Sequence, residues 1–142
     1  MVRLANVEDA RQLEILNKEF NGEGETTIEN IQDCLLNNRQ EIIVVDDKNG
    51  LLVGFVCIQL KRSFCYNEYM AELTEVYVKL EYRKKGVARE MIDFAEQYCR
   101  KQFSCHKFEL LTSINNLNAQ MVYDKLGYKN DGEIHFTKKL KK

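Results

Sequence analysis

A chain of 142 residues has the length of one ordinary domain. Hydrophobic residues make up 44% and charged residues 30%, and the net charge is −1. That is the composition of a soluble globular protein, with no bulk charge to favour nucleic acid or a membrane surface as partner.

The longest apolar run, Leu51 to Ile58, is far too short to span a bilayer, and Met1 to Asn6 turns polar too soon for a signal peptide. Cys34, Cys57, Cys65, Cys99 and Cys105 include no CxxC pair and read as reduced thiols of a cytoplasmic protein. Cys99, Cys105 and His106 are poorly spaced for a zinc tetrahedron, so no metal is expected.

In chain order, Val2-Arg3-Leu4 reads as a short strand. Asn6 then caps a helix with Glu8 and Asp9 in its first turn and Leu13, Leu16 and Phe20 at helical spacing. Asn21-Gly22-Glu23-Gly24 ends it. Thr26 with Glu29 suggests a capping box for a second helix through Ile28, Ile31 and Leu35. Strands are expected at 41–45 and 51–60 about the turn Asp46–Gly50, and a longer strand at 69–78.

A third helix is expected over 86–101, with Val87, Met91, Phe94, Ala95, Tyr98 and Cys99 facing inward. A strand follows at 108–112. Asn115-Asn116 opens a fourth helix striped by Ala119, Val122, Tyr123 and Leu126, with Gly127 at its C-terminal cap. Tyr128 and 134–140 are read as one or two closing strands about the turn Asn130-Asp131-Gly132. The resulting order, β-α-α-β-β-β-α-β-α-β, is an α/β arrangement with a mixed sheet and helices on both faces. No repeat or linker divides 1–142, so a single domain is expected.

The most informative stretch joins the strand Val76-Tyr77-Val78 to Arg83-Lys84-Lys85-Gly86-Val87-Ala88 at the start of the third helix. A basic, glycine-bearing turn at a helix N-terminus gathers backbone N–H groups, the helix dipole and positive side chains, which together suit a phosphate. As a bland alternative, these are a solvated basic cluster beside a helix start.

Arg83-Lys84-Lys85-Gly86-Val87-Ala88 resembles the R/Q-x-x-G-x-G/A signature of the GNAT N-acetyltransferases. Asn118-Ala119 with Tyr123 and Leu126-Gly127-Tyr128 is similar to that family's N-A-x-x-x-Y-x-x-x-G-F/Y segment. The two motifs cover the C-terminal half; the first half matches only in pattern. Leu80 stands where the family often has proline, which changes loop stiffness but not the donors.

The resemblance implies a GNAT-type acyl-CoA N-acyltransferase fold, with a splayed central sheet flanked by about four helices and acetyl-CoA as cosubstrate. Arg83, Lys84, Lys85, Gly86, Val87, Ala88 and Arg89 would hold the pyrophosphate. Val76, Tyr77 and Val78 would border the pantetheine arm, and Asn118 would bond the cofactor near that arm. Tyr123 would be the general acid that protonates the departing thiolate, although it also fits the helix-four core stripe.

For the base, Glu72 and Glu75 lie on the strand that leads into the loop. On an ideal strand they face opposite sides, so only one could reach the amine; a bulge would blur that assignment. No cysteine sits in a nucleophile context, so direct transfer in a ternary complex is expected.

Glu19, Glu23, Glu25, Glu29 and Asp33 form a segment without basic residues, which could wall a site for a cationic amine or simply be a solvated face. A small cationic acceptor is the leading expectation. A peptide or protein amine, and a noncatalytic acyl-CoA-binding regulator, are the alternatives. An exposed edge of the last strands could serve a homodimer. Lys138–Lys142 reads as a solvated end.

Overall fold

Runs rich in Val, Ile and Leu between the turns build the sheet of this computed structural model, which describes residues 1–141; Lys142 lies outside them. The chain forms two compact units, 1–111 and 112–142.

The first unit holds strands β1 (Val2–Leu4), β2 (Glu41–Lys48), β3 (Leu51–Lys61), β4 (Met70–Val78) and β5 (Lys107–Leu110), and helices α1 (Ala10–Asn21), α2 (Ile28–Asn37) and α3 (Val87–Phe103). The five strands lie in the order β1-β2-β3-β4-β5, antiparallel except for the parallel β4–β5 pair. The mixed sheet is therefore as expected, with β2 three residues longer than the expected strand.

Alternation sorts the side chains onto two faces. The row Val45–Phe55–Tyr77 packs with Leu13 and Leu16 of α1 in one core, joined by Ile31 and Leu35 of α2. On the opposite face, β3 and β4 meet α3, whose Val87, Met91, Ile92, Ala95 and Cys99 are buried. Gly54 makes this contact close: a Cβ there would stand 2.7 Å from the Tyr77 carbonyl oxygen and 3.0 Å from Met91 Cε.

Two local expectations need correction. The α2 cap is Thr27, whose hydroxyl accepts from the Asn30 N–H, while Thr26 takes the Asn30 side-chain amide. The capping box with Glu29 does not form, because the helix starts one residue later. At α1 the acids do more than answer the dipole. Asp9 is buried, accepts from the Asn6 N–H and takes a two-pronged pair from Arg3 at 2.8 and 2.9 Å.

Burial pushes the Asp9 carboxyl up, but the Arg3 guanidinium and the Asn6 N–H outweigh it and hold it below its ordinary value.

The second unit contains α4 (Leu117–Lys125), capped by Asn116, whose side chain accepts from the Ala119 N–H at 3.1 Å. No strand follows it among the described residues. The expected closing strands at Tyr128 and 134–140 are absent: Ile134, Phe136 and Leu140 are exposed, and this unit has no other strand to share a ladder with them. The edge proposed for a homodimer is therefore not formed by those residues.

Candidate active site

β4 is paired along its whole length with β3, but with β5 only from Met70 to Leu73. From Thr74 to Val78 no strand pairs with its other edge among the described residues, and of the backbone groups there the Val78 carbonyl is taken by a side chain of the following turn. Val76 and Val78 lie on this free stretch, as the splayed-sheet expectation requires.

Beyond β4 the chain makes a short 3₁₀ turn, Leu80–Tyr82, and reaches α3 through two left-handed residues, Lys84 (φ 63°) and Gly86 (φ 84°). Gly86 is the N-cap, and its conformation is one that glycine adopts without strain. The first helical N–H to find an acceptor is that of Glu90, on the Gly86 carbonyl. Ahead of it, the N–H groups of Val87, Ala88 and Arg89 belong to the first turn of α3 and have no partner within the helix. That leaves a run of donors at the positive end of a helix.

The basic side chains divide. Arg83 turns back: its Nε donates to the Val78 carbonyl at 2.8 Å and its guanidinium lies 5.6 Å from the centre of the Tyr77 ring. Lys85 leans over Tyr82, Arg89 pairs with Asp93 at 4.0 Å, and Lys84 is exposed. Arg83 thus stiffens the turn, while the backbone supplies the most direct donors.

Tyr77 is buried and its hydroxyl donates to Glu19 at 2.8 Å; Lys79 reaches the other Glu19 oxygen at 2.8 Å. Glu19 therefore ties α1 to the end of β4 and is already neutralised, so it does not act as part of an open acidic wall.

A bulge decides between the two glutamates. Cys57 pairs with Glu75 and Ile58 with Leu73, so Thr74 is the extra residue of β4. Glu72 pairs with Gln59, two residues from Cys57. Both glutamates consequently face the α1–α2 side, which corrects the expectation that they point opposite ways. Their surroundings still separate them. Glu72 is bound to Lys61 at 2.6 Å, and Lys61 also reaches Glu109 at 3.5 Å. Glu75 forms no ion pair among the described residues; Thr74 Oγ1 lies 3.2 Å from its carboxylate.

Glu75 lines a cavity of about 620 Å³ between α1, α2 and the sheet, together with Glu25, Asn30, Cys34, Glu41 and Cys57. Of the acidic segment, Glu25 alone lines it; the other carboxylates come from β2 and β4. Glu41 is the residue that sequence reading missed. Its carboxylate accepts from the Gln59 amide at 3.2 Å, and burial, then the charge of Glu75, raise its pKa. No lysine, arginine or histidine lines the cavity among the described residues.

Cys57 is pushed well up by burial and then by the Glu41 and Glu75 charges, and burial raises Cys34 as well. Both stay as thiols, the poorly nucleophilic form.

The second unit carries Asn118, exposed in the first turn of α4, and Tyr123, half-buried with its ring 6.1 Å from that of Tyr128. Burial raises the Tyr123 hydroxyl above its ordinary value.

Residues 8–128 match the acetyltransferase (GNAT) family, to which the chain belongs. It is 28% identical to N-acetyltransferase family 8 member 3 of Rattus norvegicus over 94 residues, which is 66% of this chain and 40% of that protein. The chain thus spans less than half the length of that relative.

Among solved structures, the aminoglycoside acetyltransferase meta-AAC0020 from an uncultured soil metagenomic sample, in complex with trehalose, superposes with a TM-score of 0.86 at 16% identity, over 99% of this chain and 96% of that one. AAC(6')-Iy in complex with the bisubstrate analogue CoA-S-monomethyl-acetylneamine gives 0.85 at 19% identity, over 98% of this chain and 97% of that one. These likenesses establish the GNAT fold. No helix among the described residues is long and apolar enough to cross a membrane.

Proposed function

We propose that residues 1–142 act as one N-acetyltransferase domain that moves an acetyl group from acetyl-CoA to a primary amine of a cationic small molecule. The observation that carries the acceptor side is the cavity of about 620 Å³, which has unpaired carboxylates and no basic residue among its described lining. A neighbour of the same fold whose complex holds a coenzyme A bisubstrate analogue supports the cofactor side.

The free edge of β4 and the N–H groups of the first turn of α3 fit an extended arm and a pyrophosphate. Val76, and Val78 through its N–H, would offer backbone to the arm, with Tyr77 holding that strand against α1. Gly86, Val87, Ala88 and Arg89 would give N–H groups to the phosphates, Lys84 and Lys85 would add charge, and Arg83 would brace the turn. Asn118 would bond the cofactor from α4.

Acetyl-CoA supplies the thioester. Glu75 would take the proton of the amine, directly or through water, because it faces the cavity without a cation, whereas Glu72 is held by Lys61. Tyr123 would supply a proton to the departing sulfur, and its raised pKa keeps that proton in place at neutral pH. The protonated thiols of Cys34 and Cys57 favour direct attack by the amine over an acyl-cysteine route.

A thiol-release assay with acetyl-CoA and a panel of amines tests this reading. Turnover on cationic amines, lost in Glu75→Gln and retained in Glu72→Gln, is the expected result. Cofactor binding with no turnover on any amine or basic peptide would instead identify a noncatalytic acyl-CoA-binding protein. Turnover on peptides alone would move the acceptor to a protein amine.

A further inference from the structure

Glu41 and Glu75 stand on β2 and β4, on either side of β3, and face the same cavity. Two strand spacings and a two-residue offset place their backbones roughly 12 Å apart, and both side chains reach inward from there. Among the described residues the Glu41 carboxylate accepts a hydrogen bond from the Gln59 amide and the Glu75 carboxylate one from the Thr74 hydroxyl. Neither has a cationic partner among the described residues, although other acids of the unit do, such as Glu19 with Lys79 and Glu72 with Lys61.

A single ammonium placed at Glu75 would leave the Glu41 carboxylate without a cation. The cavity, about 620 Å³, has room for an elongated molecule. Burial and the Glu75 charge both work against ionisation of Glu41, so a cation arriving beside it relieves an existing strain in charge.

We propose that Glu41 is a specificity-determining residue that holds a second ammonium of the acceptor while Glu75 faces the amine that reacts, so the acceptor is a diamine or larger polycation. This rests on the reading that the cavity between α1, α2 and the sheet takes the amine. Glu41 selects by charge and spacing and takes no part in bond making. The reactive nitrogen is set by the Glu75 end, and the second charge sets which molecules stay long enough to react.

The test uses isothermal titration calorimetry on the full chain with coenzyme A. The probes are diaminoalkanes from 1,3-diaminopropane to 1,8-diaminooctane and the matching 1-aminoalkanes. The wild type should bind at least one diamine tenfold or more tighter than its monoamine. Glu41→Gln should erase that advantage by weakening diamine binding more than monoamine binding, while Glu41→Asp keeps part of it.

The absence of a diamine preference in the wild type overturns the proposal, as does an equal loss for both classes of amine in Glu41→Gln. So does an equal loss of the preference in the Gln and Asp variants, which would trace it to shape and not charge. Thiol release measured on the same panel separates the two claims. Turnover of monoamines and diamines alike would sink the role of Glu41 and leave the acetyltransferase reading intact. Diamine binding that depends on Glu41, without thiol release, would do the reverse.

Discussion

The loop proposed for the cofactor and the cavity proposed for the acceptor are built on opposite plans. The loop is a contiguous stretch, from Val76 to Arg89, and works mainly through backbone: a strand edge, two left-handed residues and the N–H groups of a helix's first turn. The cavity draws Glu25, Glu41, Glu75 and the two thiols from different elements, and works through side chains and their charge. A backbone site tolerates change in most of its side chains and depends on a few conformational positions. A side-chain site depends on register, because one inserted residue reverses which groups face it.

The largest effect expected to test this contrast is on the cavity. Glu75→Gln should lower kcat about 100-fold or more, the range for a lost general base, with little change in KM for acetyl-CoA, read by steady-state thiol release. Equal losses in Glu72→Gln and Glu75→Gln would break the distinction between them that the Lys61 pair draws.

Tyr123→Phe should also cost roughly 100-fold in kcat if its hydroxyl is the acid. The pH profile carries a further sign. The acid form is the active one, and burial raises the Tyr123 pKa. The alkaline loss of activity should therefore fall above the usual tyrosine range, and this limb should vanish in Tyr123→Phe.

On the loop, side-chain and backbone changes should part. Gly86→Ala forces a Cβ into a φ of 84°, at a cost of about 1–2 kcal/mol, and should raise KM for acetyl-CoA roughly tenfold by disturbing the donors. Lys84→Ala should raise it only a few-fold, since Lys84 is an exposed charge. A larger loss from Lys84→Ala than from Gly86→Ala would contradict a backbone-led site.

The scaffold beneath both regions gives the smallest functional but clearest stability effects. Gly54→Ala should destabilise by about 1–3 kcal/mol in denaturant unfolding, because the added methyl meets backbone at 2.7 Å. Asp9→Asn should cost about 2 kcal/mol by removing one end of a charged, two-pronged hydrogen bond.

The net Asp9 pKa is depressed in the folded state. Its contribution is thus present above the unfolded value, about 3.9, and is lost as pH falls through the lower folded value. Melting temperatures should converge between wild type and Asp9→Asn below about pH 4.

What the sequence determined by itself is local. Alternating Val, Ile and Leu runs and helical stripes specified the strands and helices through β5 and α4, and the Arg83–Ala88 turn was legible because its donors are successive residues of one chain segment. The missed parts depend on partners. The closing strands at 134–140 had the composition of a strand but no neighbour in their unit to complete a ladder.

The common face of Glu72 and Glu75 was decided by the bulge at Thr74, which a periodicity argument cannot locate. Glu41 carries no motif at all. Only the β2–β3–β4 register brings it to the same cavity as Glu75, 34 positions further along the chain, and so makes an unremarked strand residue part of the proposed acceptor site. Helix and strand propensities act over a few neighbouring residues. The charge environment of a cavity is summed over segments that meet only when the sheet has formed.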